Sequence, residues 1–251
     1  MFGRPLLLKR PRGLTGAACR WHRSSLTAEL IENMDKKATW DRFYQENMSK
    51  GEFRNFEWFF GFQSVRDFVL PLLQAPQSPH AVSRVLDLGC GTSALGPCIF
   101  RHSPGPVEVT CADISPVAVQ LMQEQAKRSS VQPQNPSSSL DFLELDCTEL
   151  HRHFLPRSLD LIVDKGTTDA LLRSKEGHVK AGQILKQCLR VLKSSKSLVQ
   201  FSDEDPDARM TWLEEQTLGP GELAADVLVQ EVGTLRGVCY FCYQITTRAA
   251  A

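Results

Sequence analysis

The residues best equipped for chemistry stand in one run, Asp87-Leu88-Gly89-Cys90-Gly91-Thr92-Ser93-Ala94. An apolar segment, Arg84–Leu88, leads into it and a helical pattern follows. Glycines between a strand and a helix let the backbone approach a ligand closely, and the N–H groups opening a helix favour negative charge. The run also fits G-x-G-x-x-A, the turn of nicotinamide and flavin folds. Asp87, two residues before Gly89, argues against that use, because a carboxylate there opposes a pyrophosphate. It suits a ligand that presents an amino group and a positive charge.

Two more acids close the next apolar segments. Asp113-Ile114 ends Val107–Ile114, twenty-four residues after Gly89. A carboxylate at that tip can accept hydrogen bonds from both hydroxyls of a ribose. Asp146-Cys147 follows Leu140–Leu145, where a carboxylate can accept from an adenine amino group. Each acid has a plainer use. Asp113 could cap a helix, although Ser115 already serves there, and Asp146 could be a solvated loop acid. Three acids at three successive strand ends are more specific than any one, because open parallel sheets bind ligands at their carboxyl edge. They predict an S-adenosylmethionine site made of Asp87, Gly89, Cys90, Gly91, Asp113, Ile114, Asp146 and Cys147, with the methionine carboxylate at the glycine turn.

A fourth apolar segment runs into Asp164-Lys165-Gly166-Thr167-Thr168-Asp169. The Asn/Asp-Pro-Pro-aromatic element of enzymes that methylate planar nitrogens is absent there. Asp164 and Asp169 suit an acceptor that arrives as a cation; the plainer reading pairs Asp164 with Lys165. Trp58 offers such a cation a π face. Asp164 and Trp58 are therefore the candidate catalytic residues, in an in-line methyl transfer where alignment contributes most.

Bringing these acids to one edge requires alternating strands and helices. The pattern predicts strands over 84–88, 107–114, 140–145, 159–163 and 197–201, then an antiparallel pair over 226–231 and 238–246. Helices are predicted over 94–102, 116–128, 177–193 and 207–216, with Ser115 and Pro116 opening the second of them. Two more, over 35–48 and 60–74, form a preamble, with Pro71 bending the latter. The fold class is α/β: a seven-stranded Rossmann-like sheet, mostly parallel, with a C-terminal antiparallel hairpin. Three parts follow: a leader (1–28), a helical preamble (29–80, ending in a Pro-rich linker) and the sheet domain (81–248).

Several runs resemble a known family. LDLIVDKGTTDALL (159–172), ADISPVAVQLM (112–122) and FLELDCTEL (142–150) are similar to the methyltransferase-like family that modifies lysines of proteins such as translation elongation factor 1-alpha. ATWDRFYQ (38–45) and FEWFFGFQSV (56–65) resemble that family's W-x-x-x-Y and E-W-F/Y elements. The resemblance covers about residues 38–246. It implies transfer to a lysine, with Gly89, Gly91, Asp113 and Asp146 on the cofactor and Asp164 and Glu57–Phe59 near the acceptor. Read with the leader, it implies a mitochondrial protein substrate, citrate synthase. A small-molecule methyltransferase and a non-catalytic cofactor-binding assembly factor stay open as alternatives.

Residues 1–28 hold six basic residues and no acid, with hydroxyls at Thr15, Ser24 and Ser25, the composition of a mitochondrial transit peptide. The remainder carries a net charge of −6, which disfavours a nucleic-acid partner. No apolar run reaches the roughly 20 residues that span a bilayer. The eight cysteines read as reduced thiols. Cys239-x-x-Cys242 falls on a predicted strand, which points the pair to opposite faces, and no second pair completes a metal site. Cys98 after Pro97 reads as a core thiol rather than a nucleophile.

Overall fold

The computed structural model describes residues 30, 32–48, 54–73, 81–217 and 225–248. The expected leader and the linker over 75–80 lie outside the described residues. Seven strands form one sheet: β1 (Ser83–Leu88), β2 (Val107–Asp113), β3 (Ser139–Glu144), β4 (Leu159–Lys165), β5 (Leu192–Ser202), β6 (Ala225–Leu235) and β7 (Val238–Thr247). Their order is β3-β2-β1-β4-β5-β7-β6. The first five strands pair in parallel, and β7 runs antiparallel between β5 and β6. The order reverses between β1 and β4, where open α/β sheets take their ligands.

Burial explains the strand sequences. All seven residues of β4 are buried, so it reads as a continuous run rather than an alternation. β6, on the edge, alternates half-buried with exposed residues along its first half. Val85, Leu161, Val163, Val199 and Phe201 pack on one face of the sheet. Leu86, Leu88, Ile162 and Leu198 pack on the other. The β6–β7 turn uses Arg236 and Gly237 at φ of 53° and 82°, the left-handed pair that matches the twist of a two-residue hairpin.

From residue 37 on, the α-helices among the described residues are α1 (Lys37–Met48), α2 (Arg66–Val69), α3 (Leu95–His102), α4 (Pro116–Ser129), α5 (Thr167–Leu171), α6 (Lys175–Val191) and α7 (Pro206–Thr217). Ser115 caps α4, accepting from the Ala118 N–H at 3.4 Å, with Pro116 in the first turn. Ser174 caps α6, accepting from the Gly177 N–H at 3.0 Å. The buried stripe of α6 is Ala181, Ile184, Leu185, Cys188 and Leu189. Leu192 leaves that helix and opens β5, where it pairs with Leu159.

The single helix expected over 60–74 is broken. It resolves into a 3₁₀ turn (Phe62–Ser64), α2 and a second 3₁₀ turn (Leu70–Leu73). Val65, at φ −122°, interrupts it first. Pro71 then lacks the N–H that an α-helix needs. Its apolar spacing points Phe62, Val65, Phe68 and Val69 inward; Phe62, Val65 and Val69 are buried, and Phe68 is half-buried against the same cluster. α5 and a 3₁₀ helix over Cys147–Arg152, capped by Asp146, had no counterpart in the sequence reading.

Candidate active site

The glycine turn after β1 is held in a conformation that excludes other residues. Gly89 and Gly91 have φ of +64° and +52°. A Cβ on Gly89 would overlap the Thr167 hydroxyl, and one on Gly91 would stand 2.5 Å from the Tyr44 hydroxyl. The Cys90 N–H donates to the Ala112 carbonyl at 2.9 Å and fastens the turn to β2.

The three strand-end acids converge on this turn. Asp87 accepts from the Gly96 N–H at 2.9 Å, inside the first turn of α3. Asp113 accepts from the Gly91 N–H and the Ser115 N–H, each at 2.8 Å, so one carboxylate fixes both the turn and the start of α4. Asp146 accepts from the N–H and hydroxyl of Thr148 at 2.9 and 2.7 Å. All three, with Gly89, Cys90, Gly91, Ile114 and Cys147, line one cleft that holds about 1030 Å³ of empty space, the open solvent at its mouth included. The structure thus brings together every residue expected on the cofactor.

Burial sets the electrostatics. It pushes the Asp87 carboxyl up to about 7, against the pull of the nearby Lys165 ammonium. It pushes Asp113 up to about 6, although the Ser115 and Gly91 N–H groups pull it down. The Cys147 thiol is raised by burial and stays neutral on the cavity wall. A ligand that brings positive charge and hydroxyl donors to these acids offsets their desolvation.

The opposite wall is aromatic and comes from the preamble. Trp40, Tyr44, Phe56 and Trp58 line the same cavity. Trp40 stacks on Tyr44 at 6.0 Å and meets Trp58 edge-on at 6.1 Å. Of these only Trp58 is a candidate site residue by sequence. The W-x-x-x-Y spacing puts Trp40 and Tyr44 on one face of α1, and Phe56 opens the FEWFFGFQSV run. Asp41 on α1 accepts from the Ser115 hydroxyl at 2.6 Å, which seats α1 over the tip of β2.

Asp164 is placed elsewhere than expected. It is 1% exposed and is absent from the cavity lining. It accepts from the Thr167 N–H at 2.8 Å, the Thr168 hydroxyl at 2.5 Å and the Gln200 amide at 3.1 Å. Asp169 accepts from Arg209 at 3.0 Å and from the Ser202 hydroxyl. The cation near these acids is therefore the chain's own Arg209, rather than an incoming substrate. Nor does Asp164 pair with Lys165, because adjacent strand residues point to opposite faces. Lys165 lines the cavity and pairs with Glu57 at 2.6 Å. Trp58 does line the cavity, with its indole against Gly166. Among the described residues no cluster of His, Cys, Asp or Glu could hold a metal ion.

Comparison with known proteins agrees with this geometry. Residues 79–226 match the family model of a methyltransferase domain. A mitochondrial citrate synthase-lysine N-methyltransferase of Danio rerio is 66% identical over 233 residues, 92% of this chain and 91% of its own length. Its namesake from Homo sapiens is 40% identical over 231 residues, 90% of this chain and 91% of its own. Among solved structures, the N-methyltransferase NodS from Bradyrhizobium japonicum, in complex with S-adenosyl-L-homocysteine, aligns over 82% of this chain and 98% of its own, at 18% identity and a TM-score of 0.53. That likeness shows the fold. The chain belongs to the seven-stranded, S-adenosylmethionine-dependent protein-lysine methyltransferases, the family of the two relatives it matches along nearly its whole length.

Proposed function

We propose that this chain methylates a lysine ε-nitrogen of citrate synthase in the mitochondrial matrix. The observation that carries the reading is the convergence of Asp87, Asp113 and Asp146 with an aromatic wall on one cavity. The acceptor and compartment are supported by the names of the relatives, both mitochondrial citrate synthase-lysine N-methyltransferases.

The donor set fits S-adenosylmethionine. Asp113 faces the cavity with acceptor capacity left on both carboxylate oxygens for a ribose diol. Asp146 stands where an adenine amino group can donate, and Asp87 where an amino group and a positive charge are welcome. When bound, the cofactor supplies a methyl group already activated on a sulfonium. The chain's own residues contribute alignment and water exclusion. Trp40, Phe56 and Trp58 form an apolar wall; burial there favours the neutral amine of an acceptor lysine, whose ordinary pKa is about 10.4. The π face of Trp58 receives the cationic head as it enters.

The raised carboxyls give cofactor affinity a pH dependence. Asp87 must give up its proton before it can pair with an ammonium, so affinity falls as pH drops through about 7. Below that point the dissociation constant rises by about tenfold per pH unit for each proton released on binding. Isothermal titration across this range, in buffers of different ionisation enthalpy, measures both. Asp87→Asn flattens the upper part of the profile. Stability moves the other way. Both groups are raised above their unfolded value of about 3.9, so their ionisation opposes folding fully above about 7 and ceases to do so below about 4.

The reading is tested by labelling mitochondrial extract with methyl-tritiated cofactor, using wild type and Asp113→Ala. A labelled band at the size of citrate synthase, absent with the variant, supports it. Label confined to small metabolites, or no label on any protein, rejects it.

A further inference from the structure

The segment around Glu57 makes contacts that cofactor binding alone does not require. An ammonium has three N–H donors. Lys165 Nζ directs them to Glu57 Oε2 at 2.6 Å, the Trp58 carbonyl at 3.0 Å and the Phe60 carbonyl at 2.9 Å. An ammonium so engaged offers no lone pair to a proton or a methyl group, and its part is to hold the chain. Glu57 also faces the donor side. It accepts from the Ser93 hydroxyl at 2.7 Å and from the Ala94 N–H at 2.8 Å, where the glycine turn becomes α3.

One carboxylate therefore joins the donor turn to the tip of β4. Between these anchors Phe59 sits at φ 70°, a left-handed conformation that a non-glycine residue keeps only where its surroundings over-determine it. Asn55 and Phe56 add two links to Thr92, at 2.9 and 3.3 Å. The segment thus fixed presents Phe56 and Trp58 to the cavity.

We infer that Glu57 and Lys165 form a latch that couples the two halves of the site. A ligand in the donor turn steadies Ser93 and Ala94 in the bonds they already make to Glu57. Through Lys165 this sets Phe56 and Trp58 as the wall against which the acceptor lysine is aligned. Both are positioning residues, and the identity of the acceptor rests on the reading given above. A clamp that only stabilised the fold would make the segment equally firm with and without cofactor.

The test is hydrogen exchange of the full chain with and without S-adenosylhomocysteine, an unreactive probe, in wild type and Glu57→Gln. The substitution is isosteric and keeps an oxygen for Ala94 while removing the charge that holds Lys165. In wild type the probe slows exchange over residues 54–60 by about fivefold or more. In Glu57→Gln, with the probe at saturation, the slowing is less than about twofold. Lys165→Met, which removes the other end, gives the same pattern. Equal slowing in wild type and the variants overturns the latch.

Turnover gives a second readout. Glu57→Gln lowers kcat by about tenfold, with little change in the KM for the methyl donor, yet adds less than about twofold when Trp58 is already Ala. Fully additive losses would show that Glu57 does not act through Trp58. A wild-type chain that methylates no protein defeats the lysine reading instead, while the exchange measurement still judges the latch.

Discussion

Asp113→Ala binds S-adenosylmethionine at least about a hundredfold more weakly than wild type, and its methyl transfer falls below detection. Two losses combine. The ribose loses a carboxylate acceptor, worth about 1.5–3 kcal/mol per hydrogen bond to a charged group. The Gly91 N–H also loses its partner at 2.8 Å, so the turn that must receive the ligand is no longer fixed. The fold itself suffers less. Asp113 is pushed up to about 6 by burial, so its ionisation opposes folding at neutral pH, and removing it offsets part of the lost hydrogen bonding. Calorimetric titration and a thermal melt of the same sample separate the effects. A variant that melts near wild type and fails to bind agrees; one that binds within about threefold of wild type contradicts the assignment.

Arg209→Ala destabilises the fold by about 3–5 kcal/mol, enough to leave a marginally stable domain largely unfolded at physiological temperature. The guanidinium is fully buried at 0% exposure. It donates to Asp169 at 3.0 Å, Glu204 at 2.6 Å, Ser202 at 3.0 Å and Gln200 at 3.4 Å. It also lies over Trp212 and Tyr243, 5.7 and 5.6 Å from the ring centres. Removing it leaves Asp169 buried without its counter-charge. Arg209→Lys does not rescue the fold, because a point charge cannot reach the same acceptors as a planar fork. Arg209→Met combined with Asp169→Asn loses less than the sum of the single changes, since no buried charge is orphaned. Urea unfolding of the four proteins measures this coupling. Strict additivity would mean that Asp169 and Arg209 do not act as a pair.

How much of this was legible follows from distance along the chain. The donor side was readable because each of its parts is local: a strand end, an acid, a glycine turn, and a Ser-Pro cap opening the next helix. Each acid reaches the cavity because parallel strands share one carboxyl edge, which the alternation of elements already implies. On the acceptor side Trp58 lines the cavity, whereas Asp164 lies away from it for a geometric reason. Asp164 and Lys165 are adjacent on β4, so one faces the cavity and the other faces away, and residue type alone favoured the acid. The contacts that decide the matter join Lys165 to Glu57, 108 positions apart, and Asp169 to Arg209, 40 positions apart. Packing sets these pairs, and no local pattern announces them. The broken helix over 60–74 is of the same kind. Its apolar spacing was right for burial, but Pro71 and the docking of Phe60 and Phe62 on the sheet determined its backbone.

The central claim is that the cavity at the ends of β1, β2 and β3 delivers a methyl group to a protein lysine. Incubating the purified chain with S-adenosylmethionine and purified citrate synthase, then locating methylation by peptide mass spectrometry, tests it most directly. The account predicts methylation on a lysine ε-nitrogen of citrate synthase with wild type and none with Asp113→Ala. A wild-type chain that binds S-adenosylmethionine normally and leaves every citrate synthase lysine unmodified would contradict it.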